Sequence, residues 1–151
     1  MHLQGQLMII TWYNTVMDYK IAFAQSGIRK TPARTAIFSF LGNADRPVSI
    51  EEICANANVK KLSLDLVTVY RTIHSFVEKG VVRQIDFHEG KFRYELSNMP
   101  HHHHIVCTQC GSVQDVEDCL KESAEDAIQK QTGYTITSHA LEFFGVCKKC
   151  K

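Results

Sequence analysis

Eight side chains able to bind a soft or borderline metal crowd into two short stretches, His101-His102-His103-His104-Ile105-Val106-Cys107-Thr108-Gln109-Cys110 and Cys147-Lys148-Lys149-Cys150. Two C-x-x-C pairs in one small chain read as a single tetrahedral zinc site closed by four thiolates. Redox or disulfide chemistry is the competing reading, and a chain without a secretion signal favours zinc. The histidines add donors that a purely structural zinc does not need. In an extended run side chains alternate, so His101 and His103 point one way while His102 and His104 point the other. The run therefore feeds two metal sites rather than one. An expression tag would be longer and terminal, whereas this run lies in mid-chain.

Length and composition bound what surrounds these donors. The 151 residues, 44% of them hydrophobic, allow one domain or two small ones. No stretch reaches the ~18 apolar residues of a membrane span. The apolar run Leu7 to Tyr13 is short and has no cleavage site after it, so no signal peptide is read. Six cysteines, four of them in pairs, suit a reducing cytoplasm. Cys54 and Cys119 read as small buried hydrophobes. The net charge of +1 does not by itself point to nucleic acid, but its distribution is uneven. Residues 17–96 hold 12 Lys/Arg against 9 Asp/Glu, with Arg29, Lys30 and Arg34 clustered, and residues 97–151 hold 5 against 7. A mildly basic front half and an acidic, metal-rich back half suggest two jobs.

The elements that must position these residues follow from periodicity and caps. The first 16 residues look unlike the rest, and Met17 is a candidate start. A helix is expected over Tyr13 to Gln25, stopping near Gly27. The next opens at Thr31-Pro32, an N-cap followed by a first-turn proline, with Ala36, Ile37, Phe40 and Leu41 inward. Ser49-Ile50-Glu51-Glu52 forms a capping box for a third helix that turns Ile50, Ile53 and Ala57 inward. A fourth, from near Ser63 to Gly80, buries Leu66, Val69, Ile73, Phe76 and Val77. The period then changes. Val81 to Phe87 and Lys91 to Leu96 read as a hairpin turning at His88-Glu89-Gly90. Helices followed by such a hairpin make a winged helix-turn-helix. Ser97-Asn98-Met99-Pro100 reads as a hinge. Beyond it come strands near His102–Cys107 and Ser112–Val116, and a helix from about Cys119 to Thr132 with Leu120, Ala124, Ala127 and Ile128 on one face. Last strands run from Tyr134 to about Val146. A sheet with one long helix cannot bury both faces alone, and a second copy would cover it.

The segments Gly27-Ile28-Arg29-Lys30-Thr31-Pro32-Ala33-Arg34 and Thr68-Val69-Tyr70-Arg71, the four-histidine run leading into Cys107 and Cys110, and Gly145-Val146-Cys147-Lys148-Lys149-Cys150 together resemble the ferric uptake regulator family. The resemblance covers roughly residues 20–150. It implies an α+β protein, with an N-terminal winged helix-turn-helix domain (17–96, after an extension 1–16), a hinge (97–100) and a C-terminal α/β dimerisation domain carrying zinc sites (101–151). It implies a metal-dependent, homodimeric DNA-binding repressor of metal homeostasis, cytoplasmic and not an enzyme.

By position, the resemblance implies three metal sites. Cys107, Cys110, Cys147 and Cys150 would hold structural zinc. His101, His103, Glu122 and His139 would form a site within the dimerisation domain. Glu95 with His102, His104 and Asp115 would form the sensing site, for Zn²⁺ or Fe²⁺, whose metal sets the DNA-competent geometry of the dimer. Many relatives carry Asp where this chain has His103, and a nitrogen-rich shell suits zinc. Iron- and peroxide-sensing relatives place a histidine where this chain has Pro47, which cannot ligate through its side chain. Asp115, by contrast, is the residue that peroxide sensors favour, so a peroxide-responsive repressor is the alternative. For DNA, Tyr70 would pack on thymine methyls and Arg71 would reach a phosphate or base edge. Arg29 would probe a narrow minor groove, and Arg34 would contact phosphate. Thr68, Arg71, Thr72 and Ser75 fall on the face opposite the core. The expected partner is an A·T-rich, pseudo-palindromic duplex. A zinc metalloenzyme would need an open coordination position and a general base, and no H-E-x-x-H motif is present.

Overall fold

The computed structural model describes residues 19–116 and 122–151, excluding the side chains of Ala57, Glu122 and Ser123. The chain divides after Met99 into two compact units.

The first unit runs α1 (Tyr19–Ser26), α2 (Pro32–Asn43), β1 (Val48–Ser49), α3 (Ile50–Ala55), α4 (Ala57–Lys60), α5 (Leu66–Glu78), β2 (Val82–Asp86) and β3 (Phe92–Leu96). Local chemistry sets most of these limits. Thr31 accepts from the Arg34 N–H at 3.2 Å, capping α2 ahead of its first-turn proline. At α3 the capping box is complete, with the Ser49 N–H donating to Glu52 Oε2 at 2.8 Å and the Glu52 N–H to Ser49 Oγ at 3.4 Å. β2 and β3 pair antiparallel, and β1 adds to the other edge of β3. Helices and sheet close on Ile37, Ile53, Val69, Ile73 and Phe76. Rings join that core: Phe23 meets Phe38 edge-on at 5.3 Å and Phe76 at 5.7 Å.

Helix α5 departs from expectation in two ways. It opens at Leu66 with Asp65 as N-cap, accepting from the Thr68 N–H at 2.6 Å, rather than near Ser63. Ser63 sits at φ 49°, turning the chain ahead of the cap. The register of burial shifts accordingly. Leu66, expected inside, is 54% exposed, and Val77 is only partly buried. Thr72, expected on the outer face, is 7% exposed and faces the core beside Ile73.

The second unit runs β4 (His103–Cys107), β5 (Val113–Val116), α6 (Glu122–Thr132) and β6 (Glu142–Gly145). β4 is central, antiparallel to β5 and parallel to β6. Only residues 142–145 of the expected final strands pair in this sheet. The segment between Gly133 and Leu141 instead hydrogen-bonds to α6, as with the Ile136 N–H on Gln129 Oε1 at 3.0 Å. Ala124, Ala127 and Ile128 of α6 are exposed in the single chain, Ile128 by 49%. Ile105 and Phe144 of the sheet are exposed too. The expected contributions of Leu120 and Cys119, and of residues before Tyr19, fall outside the described residues.

Candidate metal centres and nucleic-acid face

The four-cysteine cluster is built at one end of the β4–β6 pair. β4 ends on Cys107, and its parallel register sets Cys107 against Gly145, two residues before Cys147. Each C-x-x-C folds as a tight turn. The Gly111 N–H donates to the Cys107 carbonyl at 2.9 Å, with Gly111 at φ 69°, and the Cys150 N–H donates to the Cys147 carbonyl at 3.0 Å. The four Sγ atoms lie within 4.8 Å of one another. Cys110 Sγ and Cys147 Sγ are 3.8 Å apart. Zn–S bonds of about 2.3 Å at tetrahedral angles require sulfur–sulfur edges of about 3.8 Å, so the donor set fits zinc.

Backbone donors also prepare the thiolate. N–H groups of Cys147, Cys110 and Gln109 pull the Cys107 thiol down to about 6. The Cys147 N–H reaches Cys107 Sγ at 3.3 Å. Ser112 lowers the Cys110 thiol, from 3.3 Å. Cys150, facing Cys147 and Cys110, is pushed up to about 12.

The histidine run splits by parity. His101 Nε2, His103 Nε2 and His139 Nε2 form a triangle with sides of 3.2 to 3.3 Å. Metal–nitrogen bonds of 2.0–2.1 Å in a tetrahedron give edges of about 3.3 Å, so these three nitrogens lie where ligands to one Zn²⁺-sized cation belong. His103 is buried, and burial with the nearby His101 and His139 rings holds its protonation below the ordinary histidine range. A neutral imidazole is the form that ligates. Glu122, the fourth residue expected here, opens α6, and its side chain is outside the described set. Glu125, not singled out in the sequence, is the carboxylate that meets this triad: its Oε1 lies 2.5 Å from His139 Nδ1. Its sequence signal was only its place on the polar side of α6.

His102 and His104 form the other pair, ring centroids 4.8 Å apart. His102 Nδ1 donates to the Pro100 carbonyl at 2.6 Å, which leaves Nε2 as the lone-pair nitrogen. β4–β5 pairing sets His104 directly opposite Asp115, His104 Nε2 lying 3.7 Å from Asp115 Oδ1. Glu95 belongs to the first unit, buried on β3 with Arg83 Nη2 2.7 Å from Oε1.

Pro47 lies in a different setting from a ligand. Its carbonyl accepts from Arg46 Nη1 at 3.3 Å and from Arg93 Nη1 at 3.5 Å.

The outward face of α5 carries Val67, Tyr70, Arg71 and His74, with Thr68 half-buried. Tyr70, 50% exposed, also lines a cleft between α5 and the hairpin with Lys91, Phe92 and Tyr94. Val67 and this cleft carry no motif in the sequence. Ser75 is half-buried. Arg29 is exposed, and Arg34 Nη1 donates to the Arg29 carbonyl at 2.9 Å, holding the two residues together at the start of α2.

Among the described residues no helix is long and apolar enough to cross a membrane. Residues 25–144 match the sequence profile of the Ferric uptake regulator family. The chain is 34% identical over 141 residues to the ferric uptake regulation protein of Bacillus subtilis (strain 168), covering 91% of this chain and 95% of that protein. It is 29% identical over 127 residues to the peroxide-responsive repressor PerR of Staphylococcus epidermidis, covering 84% of each. The crystal structure of the Vibrio cholerae ferric uptake regulator superposes with a TM-score of 0.74 at 31% identity, over 86% of this chain and all of that one.

Proposed function

This chain belongs to the ferric uptake regulator family and is a metalloregulatory DNA-binding repressor, and we propose that it governs metal-ion homeostasis by coupling bound metal to operator affinity. The observation that carries this reading is the Nε2 triangle of His101, His103 and His139 beside a separate four-thiolate cluster. One set is closed and structural. The other offers three nitrogen donors spaced as ligands to one Zn²⁺-sized cation.

We assign Cys107, Cys110, Cys147 and Cys150 to structural Zn²⁺, and His101, His103 and His139 with Glu122 to a site inside the dimerisation unit. His102, His104 and Asp115 are assigned to the regulatory site, and Glu95 joins that set by sequence position alone. When bound, the regulatory cation supplies positive charge and a fixed geometry. The chain's residues do the rest. The Pro100 carbonyl orients His102, and the β4–β5 register aims His104 and Asp115 together. Zinc is placed slightly ahead of iron as the regulatory metal, because Pro47 offers the regulatory site no side-chain donor and the neighbouring site is nitrogen-rich through His103.

The DNA contacts are assigned to Tyr70, Arg71 and Thr68 on α5, with Arg29 and Arg34 at α2. A dimer doubles each phosphate contact, which compensates for a net charge of only +1 per chain. The operator is an A·T-rich pseudo-palindrome and the compartment is the cytoplasm. The role is regulation rather than catalysis. Support for a second reading, a peroxide-responsive repressor, comes from Asp115 opposite His104 and from the PerR relative.

Fluorescence anisotropy on the operator upstream of the chain's own gene tests this, with the four-cysteine site preloaded and free metal buffered. Tightening at sub-nanomolar Zn²⁺ without response to micromolar Fe²⁺ establishes a zinc-responsive repressor. Response to Fe²⁺ that peroxide abolishes establishes the second reading. Affinity independent of every metal refutes both.

A further inference from the structure

The loop that carries His139 has no regular secondary structure, yet one stripe of α6 holds it. Glu125, Gln129 and Thr132 sit at positions i, i+4 and i+7 of that helix, which places them on one face. Each takes one group from the loop. Thr132 Oγ1 accepts from the Tyr134 N–H at 3.3 Å, and Gln129 Oε1 accepts from the Ile136 N–H at 3.0 Å. Glu125 Oε1 then meets His139 Nδ1 at 2.5 Å. The first two contacts fix the path of the backbone. The third fixes a ring.

That third contact has a chemical direction. An ionised carboxylate only accepts, so its partner nitrogen must carry the hydrogen. With Nδ1 protonated, the lone pair of His139 resides on Nε2. Nε2 is the atom that lies 3.2 Å from His101 Nε2 and 3.3 Å from His103 Nε2. The two ring nitrogens diverge, so Glu125 cannot reach a cation held by Nε2 while it holds Nδ1. It therefore acts behind the ligand, in the arrangement by which carboxylates orient ligating histidines.

We propose that Glu125 is a positioning residue of the histidine site: it holds His139 as the Nδ1–H tautomer with Nε2 aimed at His101 and His103. This rests on the reading of those three histidines as metal ligands. The same helix begins with Glu122, the ligand assigned by sequence, three residues earlier. One helix then supplies both a donor and the residue that aims another donor, and α6 cannot shift without disturbing the site twice.

The test uses the full chain with its four-cysteine site loaded, and variants Glu125→Ala, Glu125→Gln and His139→Ala. Zn²⁺ affinity of the second site is read by chelator competition, and the His139 tautomer by long-range ¹H–¹⁵N correlation of the protein lacking second-site metal. Thermal melts check folding. Glu125→Ala is expected to weaken Zn²⁺ binding about 10- to 100-fold and to give a mixed tautomer at His139. Glu125→Gln, whose amide oxygen still accepts from Nδ1–H, is expected to stay within a few-fold of the parent. Glu125→Ala with parental affinity, while His139→Ala is crippled, overturns the proposal and leaves the site reading intact. Weakened binding with an unchanged tautomer also overturns it. Parental affinity in His139→Ala overturns the site reading itself.

Discussion

Arg93 on β3 places Nη1 3.4 Å from Glu52 Oε2 on α3, while its Nη2 lies 3.0 Å from Glu89 Oε2 in the hairpin turn. The Arg93 side chain is 7% exposed, a buried cation shared by a helix and a turn. Arg46 grips the other oxygen of Glu52 at 2.6 Å. The β2–β3 hairpin is thus braced against α3. Truncation by Arg93→Ala would leave Glu52 and Glu89 without their shared cation. The expected loss is about 3 kcal/mol or more in chemical unfolding of the first unit. Arg93→Lys, unable to fork between two carboxylates, is expected to recover only part of it.

The same brace gives a pH dependence. Burial opposes ionisation of Glu52, and the Arg46 hydrogen bond, the Ser49 N–H and the Arg93 charge overcome it, so its protonation falls below the ordinary carboxylate range. Its contribution is complete above about pH 4.3 and is lost as pH falls further through the folded value. Thermal melts between pH 6 and pH 3 should show a shallower acid decline for Glu52→Gln than for the parent. Parallel declines would assign acid sensitivity elsewhere.

Cysteine replacement should act on assembly. Cys107→Ser removes one of four thiolates from a site of a kind that contributes about 10 kcal/mol or more to folding. Loss of one zinc per chain by elemental analysis is expected, together with a loosened dimer by sedimentation. A dimer of unchanged strength would separate the cluster from assembly.

The core of the first unit is equally exposed to test. Phe76 is fully buried and touches the Phe23 and Phe38 rings. Phe76→Ala is expected to cost about 3–5 kcal/mol in urea unfolding. Thr72→Ala should register as a change in stability with DNA affinity unaltered, since Thr72 faces inward.

DNA affinity should respond instead to the outer face of α5. Arg71→Ala is expected to weaken operator binding about tenfold, and a flattened salt slope would mark its contact as phosphate rather than base. Tyr70→Ala should reduce discrimination among operator variants more than binding to scrambled duplex. Equal losses on both would reassign Tyr70 to nonspecific contact.

What the sequence disclosed was what short range decides. The caps at Thr31 and Ser49 operate over three residues, and the helix ends before Gly27 and Gly80 need a single permissive φ; all were legible. The parity of the histidine run follows from strand geometry alone. β1 was not legible, because two residues make no alternation. Leu66 and Thr72 were misplaced because the helix starts at the Asp65 cap, and a leucine in a first turn need not face the core. Ala124, Ala127 and Ile128 share one face of α6 as their spacing implies, and in the single chain that face is exposed among the described residues. Glu125 escaped because no spacing rule announces a residue that aims another, only the folded loop does.

The parallel pairing of β4 with β6 has a consequence in time. Cys107 and Cys110 are synthesised about two to eight seconds before Cys147 and Cys150, at ordinary rates of elongation. Until then the central strand lacks one neighbour and half its thiolates. A chain cut short before residue 147 has every residue of the first unit but only two of the four clustered thiols. Only a chain translated through Cys150 can complete the cluster.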